Sequence, residues 1–144
     1  MMRLVTHLGG AWATVLPGLV LLSLGGHERT AGLTMLFANL ISHLPVQVLK
    51  RLVARPRPAD ADGRPLALVA LPDPFSFPSG HAAASTAVAV AASLSYPWLA
   101  PLLVSLAILV SVSRAWLRVH HVSDVIAGAA IGLAGAIVAT SLLT

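Results

Sequence analysis

The sequence predicts an all-α integral membrane protein, a bundle of about five transmembrane helices whose candidate active site lies at helix ends on one membrane face. Hydrophobic residues make up 57% of the 144 residues and charged residues only 10%, whereas soluble proteins carry about 25% charged residues. The mean hydropathy of +0.87 also indicates a membrane protein. The net charge of +4 comes from basic residues between apolar runs, which favours phosphate or anionic headgroups over nucleic acid. Because cysteine is absent, disulfides and thiolate catalysis are excluded.

Five apolar segments have the length of about 20 residues that a membrane span requires. They lie at about 4–24, 31–53, 80–97, 98–117 and 123–143. The first segment has an alternative interpretation as a signal peptide, since Arg3 precedes it and Ser23-Leu24-Gly25 has the pattern of a weak cleavage site. We favour a retained helix and predict a single membrane-embedded domain over residues 1–144.

The connections between the segments bring four helix ends to one face of the membrane. Only one connection is long, from about residue 54 to 79, and its Pro, Asp and Arg content is typical of a surface loop. Successive spans alternate in direction. The second and fourth helices therefore end on the same face on which the third and fifth begin.

Three polar clusters lie at that face. They are KRLVARPRP at 50–58, FPSGH at 77–81 and SRAWLRVHHVSD at 113–124. Each has a structural explanation, because basic residues snorkel to headgroups, Ser caps helices and Asp complements the helix dipole. Together, several cations and the free N–H groups of a helix N-terminus indicate a phosphate site.

The third cluster adds proton-transfer or nucleophilic groups. His120 and Asp124 are four residues apart, so on a continuing helix they share a face. The carboxylate would then accept from Nδ1–H and leave Nε2 as a nucleophile. His121 is three residues from Asp124, and spacing alone leaves it as an alternative.

The clusters resemble the three-part signature of the type 2 phosphatidic acid phosphatase family, which also includes vanadium haloperoxidases and bacterial acid phosphatases. Lys50 precedes Arg57-Pro58 by six intervening residues, and Pro78-Ser79-Gly80-His81 follows. Then come Ser113-Arg114, five residues, His120, three residues and Asp124. Every signature position matches, over about half of the chain.

The resemblance implies a role for each matched residue. His120 would be the nucleophile that forms a phosphohistidine, Asp124 would orient it, and His81 would protonate the leaving group. The phosphoryl oxygens would be held by Lys50, Arg57, Ser79, Gly80 and Arg114. The resemblance implies no metal or other cofactor, and it assigns no catalytic role to Arg55, Arg118 or His121. Membrane members commonly have six spans, so the five counted here indicate an apparent loss at the N-terminus.

We therefore expect a lipid phosphate phosphatase acting on phosphatidic acid, phosphatidylglycerophosphate or polyprenyl diphosphate in a bacterial inner membrane. The alternatives are a non-catalytic phospholipid-binding or scrambling protein and a vanadate-dependent haloperoxidase. The membrane side stays open. Five basic residues outside the signature lie on the membrane face of the candidate site, and Arg29 lies on the opposite face. Because positive charges favour the cytoplasmic side, this distribution predicts a cytoplasmic site. Many relatives, however, act on the outer face.

Overall fold

The computed structural model describes residues 2–70 and 73–144, and these contain helices but no β-strand. The α-helices are α1 Met2–Val5, α2 Ala11–Leu24, α3 Gly26–Val53, α4 Gly80–Ser95, α5 Ala100–Trp116 and α6 Val122–Leu143. Short 3-10 helices at Thr6–Gly9 and Pro97–Leu99 precede α2 and α5. The prediction of an all-α membrane protein is confirmed.

All five predicted segments are helical, but they do not all have the length of a span. Three described stretches are long and apolar enough to cross a membrane: α3, Pro97–Trp116 and α6. The first segment is broken, because Met2–Gly9 and Ala11–Leu24 meet at an angle of 49° and qualify only as a pair. The α4 helix has 16 residues. Length and composition therefore support three or four spans, fewer than the five counted from the sequence.

The helix ends follow from local chemistry. Ala54 takes the left-handed conformation, with φ 46°, at the end of α3, and Pro56 follows two residues later. Ser79 caps the start of α4, and a capping box formed by His121 and Asp124 starts α6. These ends are the positions of the three polar clusters.

The packing of α6 against α4 fixes the start of α4. A Cβ on Gly128 would lie 2.3 Å from the Ser79 carbonyl oxygen, and one on Gly132 would lie 2.3 Å from that of Ala83. Only glycine permits such a close approach, which is common where membrane helices pack. The Ser79 N–H also donates to the Asp124 carbonyl oxygen at 2.9 Å. The starts of α4 and α6 are thus held side by side.

The connection from α3 to α4 covers the same end of the bundle and is anchored to it. The Ser76 N–H donates to the Arg55 carbonyl oxygen at 2.8 Å, and the Ser76 hydroxyl donates to that of Pro56 at 2.9 Å. Further along, the Leu68 N–H donates to the Leu117 carbonyl oxygen at 3.1 Å. These bonds bring the connection into contact with the turn between α5 and α6.

Candidate active site

A cavity of about 480 Å³ lies between α2, α3 and α4 and reaches the helix ends that carry the polar clusters. Six of the predicted site residues line it: Lys50, Arg57, Gly80, His81, Arg114 and His120. The other two, Ser79 and Asp124, are fully buried and do not line it. The structure therefore brings most of the three clusters to one cavity.

Lys50 and Arg57 meet at a carboxylate that the sequence analysis did not single out. Asp73 Oδ2 lies 2.6 Å from Lys50 Nζ, and Asp73 Oδ1 lies 3.2 Å from Arg57 Nη2. Burial alone would raise the pKa of Asp73, but the hydrogen bond and charge of Lys50 and the charge of Arg57 hold it below its ordinary value. Asp73 is consequently an ionised carboxylate that bridges two of the predicted phosphate ligands.

The Arg57 guanidinium is held in place by the backbone. Its Nε donates to the Asp73 carbonyl oxygen at 2.9 Å, and its Nη1 donates to that of Val119 at 2.8 Å. Two loops thus orient one cation, since Asp73 precedes α4 and Val119 precedes α6.

Arg114 reaches the cavity from the last turn of α5 and is 4% exposed. Its Nη1 donates to the Thr6 hydroxyl, so the N-terminal segment lies at the site face, as alternation of the spans predicts. Its Nε is buried and has no hydrogen-bond partner among the described residues. A buried donor without a partner is unfavourable, and a bound anion would supply the acceptor.

His120 lies in the turn between α5 and α6 and is 4% exposed. Its Nδ1 lies 2.6 Å from the Ser76 carbonyl oxygen. A carbonyl oxygen only accepts, so Nδ1 carries the proton and Nε2 of the uncharged ring has a free lone pair. Burial, together with the charges of Arg57 and Arg114, lowers the pKa of His120 to about 3. The ring is therefore uncharged and nucleophilic at neutral pH.

The hydrogen bond predicted between Asp124 and His120 is not formed. Asp124 Oδ2 lies 3.8 Å from His120 Nδ1, beyond hydrogen-bonding distance. Instead, Oδ2 accepts from the His121 N–H at 2.8 Å, and Oδ1 accepts from Arg55 Nη1 at 2.8 Å. The Ser76 carbonyl therefore orients the His120 ring. Asp124 holds the start of α6 and places a negative charge behind the ring.

The first turn of α4 contributes Gly80 and His81 to the cavity, while Ser79 lies behind it. The Ser79 hydroxyl accepts from the Ala82 N–H at 3.4 Å and is buried, which favours helix capping over the predicted contact with phosphate. Gly9 packs against His81, since a Cβ at Gly9 would lie 3.1 Å from the His81 Cβ. The bend in the N-terminal segment thus borders the site.

Three contributors were missed by the sequence analysis: Asp73, Arg55 and the Ser76 carbonyl. Arg55 belongs to the first basic cluster, and its charge was the only available signal. Asp73 lies in a loop outside any motif, and a backbone carbonyl has no residue signature. Of the two other residues without an assigned role, His121 contributes its N–H to the capping box, and Arg118 is exposed.

Comparisons with known proteins agree on one family. The sequence model of the PAP2 superfamily matches residues 31–144. An undecaprenyl-diphosphatase of Sulfolobus acidocaldarius is 34% identical over 81% of this chain and 57% of its own length. Phosphatidylglycerophosphatase B of Bacillus subtilis is 33% identical over 90% of this chain and 67% of its own. The chain thus spans roughly three fifths to two thirds of these two relatives.

The fold is similar to that of a solved membrane enzyme. The crystal structure of a transmembrane PAP2-type phosphatidylglycerolphosphate phosphatase from Bacillus subtilis superimposes with a TM-score of 0.80 at 29% identity, covering 98% of this chain and 74% of that one. This similarity and the apolar helices identify an integral membrane protein.

Proposed function

The chain belongs to the PAP2 superfamily, and on that premise we propose that it is a metal-independent lipid phosphate phosphatase. It hydrolyses a phosphomonoester or diphosphate of a membrane lipid through a phosphohistidine at His120. The observation that carries this proposal is the state of His120, a buried and uncharged imidazole whose Nδ1 is bonded to a carbonyl. It shares its cavity with the cations Lys50, Arg57 and Arg114.

The three cations bind the phosphoryl group. Fixed cations stabilise the charge on the phosphoryl oxygens in the transition state without a metal ion. The phosphoryl oxygens replace Asp73 at Lys50 and Arg57, and one of them accepts from the buried Arg114 Nε. This arrangement supports phosphate as the ligand for two reasons. It gives an acceptor to Arg114 Nε, which has none among the described residues. It also gives separate acceptors to Lys50 and Arg57, which otherwise share the Asp73 carboxylate.

The reaction proceeds in two transfers. The His120 Nε2 lone pair forms a bond to phosphorus, and the bond from phosphorus to the leaving oxygen breaks. His81, which takes up a proton when the phosphate dianion lies beside it and offsets the neighbouring cations, donates that proton to the leaving oxygen. The Ser76 carbonyl stabilises the positive charge that develops on His120. A water molecule then gives a proton to His81 and attacks phosphorus, which releases phosphate and restores the His120 lone pair.

The shape of the cavity supports a lipid as the substrate. From the cations it continues between α2 and α3 past Leu40, Leu36 and Val15, which suits an acyl or prenyl chain below a phosphate at the helix ends. The names of the two relatives, an undecaprenyl-diphosphatase and a phosphatidylglycerophosphatase, are consistent with either chain type.

We also propose that the protein lies in a bacterial inner membrane. Labelling of an Ala61→Cys variant in intact cells tests the side, since the chain has no other cysteine.

Phosphate release by the purified chain in mixed micelles tests the activity. Phosphatidic acid, phosphatidylglycerophosphate and farnesyl diphosphate serve as substrates. EDTA should leave the activity intact, and vanadate should inhibit it. Loss of activity on metal removal would contradict the mechanism. Transport of labelled lipid without hydrolysis would favour a scrambling protein, and halide oxidation by the vanadate-loaded chain would favour a haloperoxidase.

The two adjacent histidines provide a matched test of the nucleophile. His120→Ala should abolish turnover and the acid-labile phosphoenzyme that rapid quenching with labelled substrate traps. His121→Ala should retain both, because the hydrogen bonds between His121 and Asp124 use the backbone N–H and carbonyl oxygen of His121, which alanine keeps. Near-normal turnover of His120→Ala would refute the assignment.

A further inference from the structure

A polar stripe runs along α3 from the catalytic cations into the membrane. Asn39, His43, Gln47 and Lys50 follow each other at intervals of four, four and three residues and therefore share a helix face. All four line the cavity that contains His120. Lys50 is a phosphate ligand in the proposed function, which leaves three polar residues that the mechanism does not use.

Two of these residues lie deeper along α3 than the catalytic cations. The α3 helix has 28 residues, or about 42 Å at a rise of about 1.5 Å per residue, and exceeds the hydrocarbon thickness of about 30 Å. Along the axis, Gln47 lies about 4.5 Å and His43 about 10 Å below Lys50. Both side chains are exposed to the cavity. Polar side chains at this depth are unfavourable and mark substrate pathways.

The hydrogen bonds of the stripe show which groups are free. Asn39 Nδ2 donates to the Thr14 hydroxyl at 3.3 Å and so joins α3 to α2. Gln47 Nε2 lies 3.1 Å from His43 Nε2, and since an amide nitrogen only donates, the imidazole accepts. The second amide hydrogen of Gln47 and the Nδ1–H of His43 are then available as donors toward the cavity.

The charges of the residues that line the cavity determine which acceptor groups these donors can bind. Its cations among the described residues, Lys50, Arg57 and Arg114, lie at the catalytic end, with Lys50 about one helical turn from Gln47 and about two turns from His43. Because all three bind the first phosphate in the proposed function, a second phosphate beside Gln47 and His43 would bring a negative charge without a cation of its own to membrane depth, which is unfavourable. Uncharged acceptors such as ester carbonyl oxygens match an amide and an imidazole donor.

We propose that Gln47 and His43 bind the ester carbonyls of a diacylglycerol monophosphate, a lipid of the phosphatidic acid type, and select it over a polyprenyl diphosphate. The inference rests on the proposed function, because it requires the phosphate at Lys50, Arg57 and Arg114. In such a lipid the ester carbonyls follow the phosphorus within a few covalent bonds, comparable to the one helical turn from Lys50 to Gln47. A polyprenyl diphosphate offers a charged phosphate and then a hydrocarbon chain at the same positions.

A comparison of substrates and variants tests the inference. The substrates are diester phosphatidic acid, its dialkyl ether analogue, which lacks the carbonyls, and farnesyl diphosphate, each in mixed micelles. The wild-type chain should have a kcat/KM about 3- to 10-fold higher for the ester than for the ether, as expected for one or two lost hydrogen bonds, and lowest for the diphosphate. Gln47→Leu removes one of the two donors, so it should reduce the preference for ester over ether and leave the rate with the diphosphate unchanged. Val48→Leu is the matched control, because Val48 is 55% exposed and does not line the cavity.

The outcomes separate this inference from the proposed function. Equal rates for ester and ether, a preference for farnesyl diphosphate, or an equal loss on all substrates in Gln47→Leu would each refute the inference while phosphatase activity stands. Absence of hydrolysis of all three substrates by a folded wild-type chain would refute the proposed function. Binding to the His120→Ala variant gives a readout without turnover: adding Gln47→Leu should weaken ester binding but not ether binding, and unchanged ester binding would overturn the inference.

Discussion

Replacing Asp73 with asparagine should tighten the binding of vanadate and phosphate to the free enzyme. The Asp73 carboxylate contacts two of the three cations assigned to the phosphoryl group, at 2.6 Å from Lys50 Nζ and 3.2 Å from Arg57 Nη2. An incoming dianion must displace this carboxylate before it can use either cation fully. Asparagine keeps the shape of the side chain and removes its charge.

The magnitude follows from the exposure of the carboxylate. The Asp73 side chain is 32% exposed, so solvent screens both ion pairs, and each contributes about 0.2–1 kcal/mol. Release of both pairs should therefore favour anion binding by about 0.4–2 kcal/mol, which corresponds to a dissociation constant lowered about 2- to 30-fold. Added salt should reduce the difference, because it screens partly exposed charges.

The assay is competitive inhibition of phosphate release by vanadate, with the inhibition constant measured for each variant. Asp62→Asn is the matched control, because Asp62 lies in the same connection and its exposed side chain is 3.9 Å from Arg64. Its inhibition constant should equal that of the wild-type chain. Weaker vanadate binding by Asp73→Asn would refute the reasoning, since it would show that Asp73 positions Lys50 and Arg57 for the phosphate instead of competing with it.

Three further predictions concern the packing and charge around the site. Gly128→Ala places a methyl group 2.3 Å from the Ser79 carbonyl oxygen, about 1 Å inside normal contact, and by moving α4 from α6 it should lower kcat about 10- to 100-fold. Arg55→Gln leaves the buried Asp124 without its ion-pair partner, but the Arg55 side chain is 36% exposed, so the free energy of unfolding should fall by about 1–2 kcal/mol in denaturation experiments. The pKa of His120 is lowered from 6.5 to about 3. Between these two pH values His120 is therefore protonated in the unfolded chain and uncharged in the folded chain. The stability that His120 contributes is complete above pH 6.5 and should fall by about 2 kcal/mol by pH 5.

Each of these predictions has a control in the chain. Gly135→Ala should lower kcat less than Gly128→Ala, because a Cβ on Gly135 would lie 3.0 Å from its nearest neighbour, the Ala38 carbonyl oxygen. Equal losses of kcat in the two variants would contradict the packing argument. Arg51→Gln changes an exposed residue and should alter stability by less than about 0.5 kcal/mol; an effect as large as that of Arg55→Gln would contradict the role of the ion pair. His120→Gln should remove the loss of stability on acidification. An unchanged dependence of the free energy of unfolding on pH would show that other groups cause the loss.

Much of the architecture could be predicted from the sequence because its causes are local. Hydropathy identifies membrane helices, since a bilayer accepts only segments that satisfy their own backbone. Caps and breakers such as Ser79 and Pro97 locate the helix ends. Alternation of the spans then brings Lys50, Arg114 and His120 to one face without further information.

The tertiary structure decided how these residues contact one another. The partner of His120 Nδ1 is the Ser76 carbonyl and not Asp124, because the connection folds back between α3 and α6. Asp73 likewise reaches Lys50 from 23 positions away. Neither contact has a periodicity or motif, since closing a loop brings together atoms that are distant in the sequence, and a backbone carbonyl is common to every residue. The sequence by itself thus determined which side chains gather at the membrane face, and only the folded chain decided which of them bond to each other.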